Sequence, residues 1–310
     1  MGRRHILGDS LLQSATLDRE TLPPGWVSVG NHPAFPAAAR RLAGNLLAVC
    51  EADRKLAAIC KDAGHYMTAM SAAYLESQGA LTLSSLRQIC AGSGLLTANR
   101  AAALIDFMAH LGFLEFDAAG YCRTTPEFRQ SWSGLLHVAL DAAALVDPSV
   151  GTVRDRVTDA TVYRRFLTVQ AGRLHDLARL TDPFPSLRAA FLHPLAGCSI
   201  LHTLVLACTD SDFRPNDGAI VSLAGLARAF GVSQPHVRRL LKRAEGSHFL
   251  LHLGPSLRAF DPVGFPTLRF HYAMQVHELI ECARAVQATE ETALRWLPSP
   301  RHAEAAAPAL

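Results

Sequence analysis

From about Pro36 onward, apolar residues recur at intervals of three and four, the spacing that lines one face of an α-helix. Leu42, Leu46, Val49, Leu56 and Cys60 predict a helical stretch from Pro36 to Lys61, with Asp53 interrupting its stripe and Gly64 ending it. Tyr66, Met70, Ala73 and Tyr74 predict a second helix, His65 to Ser77. Thr82 to Ala91 reads as a short helix, Ser93–Gly94 begins a turn, and Thr97 caps a helix running to about His110. FLEF (113–116) and YCRT (121–124) then predict a hairpin about Asp117–Gly120. Leu135 to Leu145 returns to helix, and Asp147–Pro148 to Gly151 reads as a linker. Upstream, LPPGW, VG and NHP break any period, so residues 1–33 read as an arm.

The same order recurs downstream. A helix from Val162 carries Phe166, Leu174 and Leu177 and is broken at Asp182–Pro183–Phe184–Pro185. Residues 198–208 read as a buried helix, and Ser222 to Phe230 and Gln234 to Glu245 as two helices about a tight turn. FLLHL (249–253) and LRAF (257–260) form a hairpin about Gly254–Pro255–Ser256. Beyond Pro262 and Pro266, a long amphipathic helix carries Leu268, Tyr272, Val276, Leu279, Ala283 and Val286. Setting Thr97 on Ser233 brings Leu104 onto Leu240, Ile105 onto Leu241, Phe113 onto Phe249 and Leu114 onto Leu250. The first copy has about four extra residues, GSGL, in its turn. The expected fold is mostly α: two related domains at 34–150 and 151–296, with long flanking helices and a tail at 297–310.

Composition and charge narrow the function classes. With 310 residues, 49% of them apolar, the chain has the material for a sizeable core. A net charge of +3 confines any nucleic-acid role to a local patch. Such a patch exists. SLAGLARAFGVSQPHVRRLLKRA (222–244) contains five basic residues and no acid. The seven cysteines form no CxxC pair, so neither a zinc signature nor a disulfide framework is expected. The N-terminal MGRRHILGDSLLQS lacks the apolar run of a signal peptide, and no window reaches the roughly 20 apolar residues of a membrane span. A cytoplasmic, nucleoid-associated protein is expected.

Within the basic stretch, Leu226, Ala227, Phe230, Gly231, Val232, Val237 and Leu240 sit where two helices crossing about a tight turn need them. Gly231 supplies the turn, Ser233 is a good N-cap, and Pro235 falls in the first turn, where its missing N–H costs little. At 100° per residue, Val237, Leu240, Leu241 and Ala244 make the buried face. Pro235, Arg239 and Lys242 lie opposite, flanked by Arg238, Arg243 and His236, with Gln234 at the N-terminal end. Arginine can bond guanine, glutamine can pair with adenine, and the remaining charges can hold phosphates. Arg258 on the second hairpin adds a candidate contact with backbone or minor groove. The DNA-binding candidates are therefore Ser233, Gln234, His236, Arg238, Arg239, Lys242, Arg243 and Arg258.

The two helices plus hairpin, carried by LARAFGVSQPHVRRLL and flanked by long helices, resemble the winged helix-turn-helix regulators of the MarR type. The resemblance covers most of residues 36–288 and implies a DNA-binding transcriptional regulator without catalytic residues or cofactor. Such regulators are homodimers, so two copies in one chain imply a fused pseudo-dimer. With one strong reader per chain, a homodimer presenting two readers to a palindrome is expected. Whether a small-molecule effector exists stays open.

The first copy departs from the pattern. It keeps the buried face as Ala101, Leu104, Ile105 and Met108, but Arg238, Arg239, Lys242 and Arg243 become Ala102, Ala103, Asp106 and Phe107. Only Asn99 and Arg100 stay polar and suitable, and Phe107 is expected to pack on something. TLSSLRQICAGSG through FLEFDAAGYCRTTPEF also resembles the winged dimerisation domain of small-molecule O-methyltransferases, a use of the fold without DNA. The catalytic domain of those enzymes has no counterpart here. Two alternatives to the regulator therefore stand: a plasmid or phage replication initiator or chromosome-partition protein, and a protein-interaction module.

Other chemistry carries less. His248 and His252 share a strand face beside the hairpin with no carboxylate nearby in sequence, and His271 and His277 fall on different helix faces, so no metal site is expected. Cys90 and Cys122 are a candidate redox pair. Tyr66, Met67, Met70 and Phe107 read as core before they read as a ligand pocket.

Overall fold

The computed structural model describes residues 22–92, 96–117, 121–179 and 183–295. The turn at Ser93–Gly94, most of the first hairpin turn, Asp182, the start of the arm and the C-terminal tail lie outside the described residues. The fold is mostly helical.

The predicted arm is the first departure. Pro24–Asn31 form helix α1, and Trp26 is buried there, stacked on Phe184 with ring centroids 5.9 Å apart. Pro24 sits in the first turn, where its fixed φ suits a helix. The two glycines that argued against a helix are needed for contact: a Cβ on Gly25 would run into the His277 ring, and one on Gly30 would touch Ala273.

The stretch expected as one helix is two, α2 (Phe35–Ala52) and α3 (Arg54–Ile59). Asp53 causes the break. Its carboxylate accepts from the Lys55 and Leu56 amides at 2.9 Å and from Ser131 Oγ at 2.5 Å, so it caps α3 instead of continuing α2. Gly64 does not end a helix but lies in the first turn of α4 (Ala63–Ser77), where a Cβ would meet Leu96 at 2.7 Å.

From α4 the element order follows the predicted duplication. α4 leads to α5 (Leu83–Gly92), α6 (Ala98–His110), β1 (Leu114–Phe116), β2 (Cys122–Thr124) and α7 (Pro126–Ala143). The supposed linker runs into a short helix, α8 (Val150–Arg154), with Val150 and Val153 buried. α9 (Ala160–Arg179) follows, then α10 (Pro185–Leu187), which runs into a π-helical turn at Arg188–Leu192. The second series is α11 (Gly197–Cys208), β3 (Ala219–Ile220), α12 (Leu223–Phe230), α13 (Gln234–Gly246), β4 (Leu250–His252), β5 (Leu257–Phe260) and α14 (Phe265–Arg295).

β5 is central in its sheet. It pairs antiparallel with β4 (Leu250 opposite Phe260) and with β3 (Ala219 opposite Arg258). In the first series β3 is replaced by a single bridge, Thr82 to Tyr121. The residues aligned by sequence occupy equivalent places: Leu104 and Leu240, Ile105 and Leu241, Phe113 and Phe249, Leu114 and Leu250 are all buried.

The two series share one continuous apolar core. α2 packs on α7 and on α11, α9 on α14 and on α4, and α7 and α14 on each other. Polar contacts fix the junction. Arg40 donates to the Thr209 carbonyl at 2.8 Å, Gln78 donates to Thr168 Oγ1 at 2.8 Å, and the Ala196 amide donates to the Lys61 carbonyl at 2.8 Å. Among the described residues, no single helix is long and apolar enough to cross a membrane.

Candidate nucleic-acid interface

The turn between α12 and α13 is built as its residues require. Gly231 takes φ +62°, in the left-handed region, and the Val232 amide returns to the Ala227 carbonyl at 3.0 Å. Ser222 and Ser233 cap the two helices, their hydroxyls accepting from the Gly225 and His236 amides. Val237, Leu240, Leu241 and Ala244 are buried, which fixes the rotation of α13.

That rotation divides the candidate residues. Ser233, Gln234, Arg238, Arg239, Lys242 and Arg243 are exposed, and His236 is half-buried. Among the described residues, Arg238, Arg239 and Lys242 have no carboxylate within ion-pair distance, whereas Arg41 pairs with Asp141, Arg123 with Glu115 and Arg284 with Asp147. Three cations therefore stand in water on one helix face.

His236 and Arg243 lie at the edge of this face and are tied to the segment before α11. The His236 Nε2 is 2.8 Å from the Leu195 carbonyl, and Arg243 Nη1 donates to the Ala189 carbonyl at 3.1 Å. With Pro194, Arg239 and Leu240 they line a cleft of about 290 Å³ beside the helix. They hold the helix in place more than they present it.

Arg258 is not the hairpin contact expected. It is buried, at 8% exposure. Its Nε lies 2.7 Å from Glu245 Oε1 at the end of α13, and its Nη1 donates to the Gly254 carbonyl at 3.0 Å. In β5 Arg258, Ala259 and Phe260 are all buried. The outward surface of the sheet is apolar instead, with Ile220 83% exposed and Leu251 and Leu253 partly so.

The equivalent helix of the first series, α6, has the same fold and different chemistry. Thr97 caps it, accepting from the Arg100 amide at 3.3 Å. Ala101, Leu104, Ile105 and Met108 are buried, and Asp106 is exposed. Phe107 packs edge-on against His65, ring centroids 5.7 Å apart. Arg100 is bound to the buried Asp62 at 3.1 Å. Burial alone would raise the Asp62 carboxyl, but hydrogen bonds from His65 and the Arg100 charge hold it below its ordinary value. Asp62, His65, Leu96, Arg100, His193 and Leu195 line a second cleft, about 530 Å³, between the two series.

The cysteine pair considered above is not exposed chemistry. Cys90 and Cys122 are both buried, and burial pushes both thiols up, Cys122 to about 11. His248 leaves the end of α13 with φ +57° and faces Asp261 at 3.5 Å.

The chain matches no protein-family model, no curated protein and no solved structure.

Proposed function

We propose that the chain is a sequence-specific, double-stranded-DNA-binding regulator of transcription, built as two winged helix-turn-helix units, with α13 as its major-groove reader. The observation that carries this reading is the row Arg238, Arg239 and Lys242, exposed and without acidic partners on the outer face of a capped, well-anchored helix. The succession of α11, β3, α12, α13 and the β4–β5 hairpin, with β5 between β3 and β4, supports it. Gln234 and the arginines supply base-edge donors, and Lys242 a phosphate contact. His236 and Arg243 act as braces, and Arg258 stabilises the hairpin from within. A solvated basic face without function is the simplest competitor, because surface cations need no ligand.

The test is DNA binding against salt, by fluorescence anisotropy on duplex fragments, for the native chain and for Arg239→Ala/Lys242→Ala. The native protein should bind with an affinity that falls steeply with salt. The double variant should bind weakly, its slope smaller by roughly one unit for the lost Lys242 phosphate contact. Equal binding by both proteins, or none by either, removes the reading and leaves a protein-interaction module.

A further inference from the structure

We propose that the chain reads DNA as one molecule on one non-palindromic site, with only the second series entering a groove. This rests on the DNA-reading proposal above and replaces the expected homodimer on a palindrome.

In a two-fold dimer of identical chains, if element i of one copy touches element j of the other, then j also touches i. That reciprocity is present inside this single chain. α2, which precedes the first series, packs on α11, the first helix of the second. α9, which precedes the second series, packs on α4, the first helix of the first. α7 and α14, each following a hairpin, pack on one another. The Ala196-to-Lys61 hydrogen bond joins the two equivalent points where the chain enters α11 and α4. The faces by which two such units pair are thus already covered, and they share one core.

The pairing is equivalent in structure but not in charge. Arg100 and His236 stand at aligned positions, and each ties its helix to the segment leading into its own series, through Asp62 and Leu195. Phe107 and Arg243 also align, and each rests on that same neighbourhood, against His65 and Ala189. The outward positions between them differ. Arg238, Arg239 and Lys242 answer to Ala102, Ala103 and Asp106. A phosphate near α6 would meet a carboxylate and two methyl groups, while the one arginine in its first turn is bound to Asp62. A palindrome rewards two equal readers about 10 base pairs apart. This molecule holds one reader and one blank in the places of the two, so the second half-site carries no information for it.

The test uses the full chain. Duplexes are enriched from a random-sequence pool, and the complex on a winning duplex of roughly 30 base pairs, about three turns, is weighed by native mass spectrometry while each base pair is substituted in turn. One chain per duplex and a motif without self-complementarity are expected. Two chains per duplex on a self-complementary motif would overturn the inference while leaving DNA reading intact. No enrichment of any duplex would overturn DNA reading and this inference with it. Ala103→Arg/Asp106→Lys, both at exposed positions of α6, gives a second arm. It should steepen the salt dependence by about one to two units and extend the protected region to one side. A well-folded variant with unchanged footprint and slope would show that α6 does not face the duplex, and would overturn the placing of a blank reader against the second half-site.

Discussion

Two arginines on the same unit, Arg239 and Arg258, have opposite jobs, and burial decides which. Arg258 lies inside the hairpin against Glu245, so removing it strands a carboxylate with little water to replace the partner. Arg258→Met is expected to cost about 3 kcal/mol, read as a lower urea midpoint, with DNA affinity per folded molecule nearly unchanged. Arg239→Ala should do the reverse: stability within about 0.5 kcal/mol, and DNA binding weakened. A stable Arg258→Met protein that no longer bound DNA would restore the hairpin contact. Histidines supply a second residue-scale test. His271 is buried beside His202 and Phe184, and burial, then the neighbouring His202 and Arg188, push it down to about 3. Burial pushes His202, 2.6 Å from the Tyr272 hydroxyl, down to about 4. Both folded-state values lie below the unfolded value near 6.5. As pH falls through 6.5 the unfolded chain takes up protons first, so stability present at pH 7 is lost down to about pH 4. The slope is up to about 1.4 kcal/mol per pH unit for each histidine. Urea midpoints at pH 7, 6 and 5 should fall accordingly, and His271→Gln should flatten the trend. A midpoint independent of pH in that window would show that neither ring is held neutral by the fold.

At the scale of elements, two glycines test which turns depend on backbone conformation and which on space. Gly231 has φ +62° and open space where a Cβ would point, so Gly231→Ala meets only the left-handed penalty, about 1 kcal/mol. Gly197 opens α11 where a Cβ would overlap the Phe191 carbonyl oxygen. Gly197→Ala must push the π-helical turn away from α11, and its melting temperature should fall well below that of Gly231→Ala. The comparison by thermal melting fails if the two variants melt alike. The difference also explains what was legible in the chain. Gly231, the Ser233 cap and the rotation of α13 are local, and local chemistry is enough to read them. α1 was hidden because Gly25 and Gly30 lower helix propensity, and only the approach of α14 makes them useful. β3 is two residues long and exists through its pairing with β5. Arg258 was misplaced because its partner, Glu245, sits on another element, and no local period marks an ion pair across a turn. Asp53 gave a visible interruption of the apolar stripe, yet its role as a cap becomes plain only with Ser131 beside it.

For the whole molecule, the shared core makes a specific demand on folding. α2 has α11 as a neighbour and α9 has α4, so either half alone would expose faces that the other half covers. At the seam, Arg284 reaches Asp147 at 2.8 Å and Gln287 reaches the Ser149 carbonyl at 2.7 Å, but these exposed contacts add little beside the buried apolar area. Unfolding should therefore be a single cooperative transition, with calorimetric and van't Hoff enthalpies equal. Cutting the chain in the exposed turn between α8 and α9, near residue 156, should give two pieces that are poorly folded apart and form a one-to-one complex together. Circular dichroism of each piece, and of the mixture, reads this directly. The signal of the mixture should exceed the sum of the parts. Two independent transitions, or pieces that reach full helicity alone, would mean that the halves are separate domains resting against each other. The second repeat would then be free to turn on DNA without the first, and the structural basis for one blank and one reader in fixed relation would be lost.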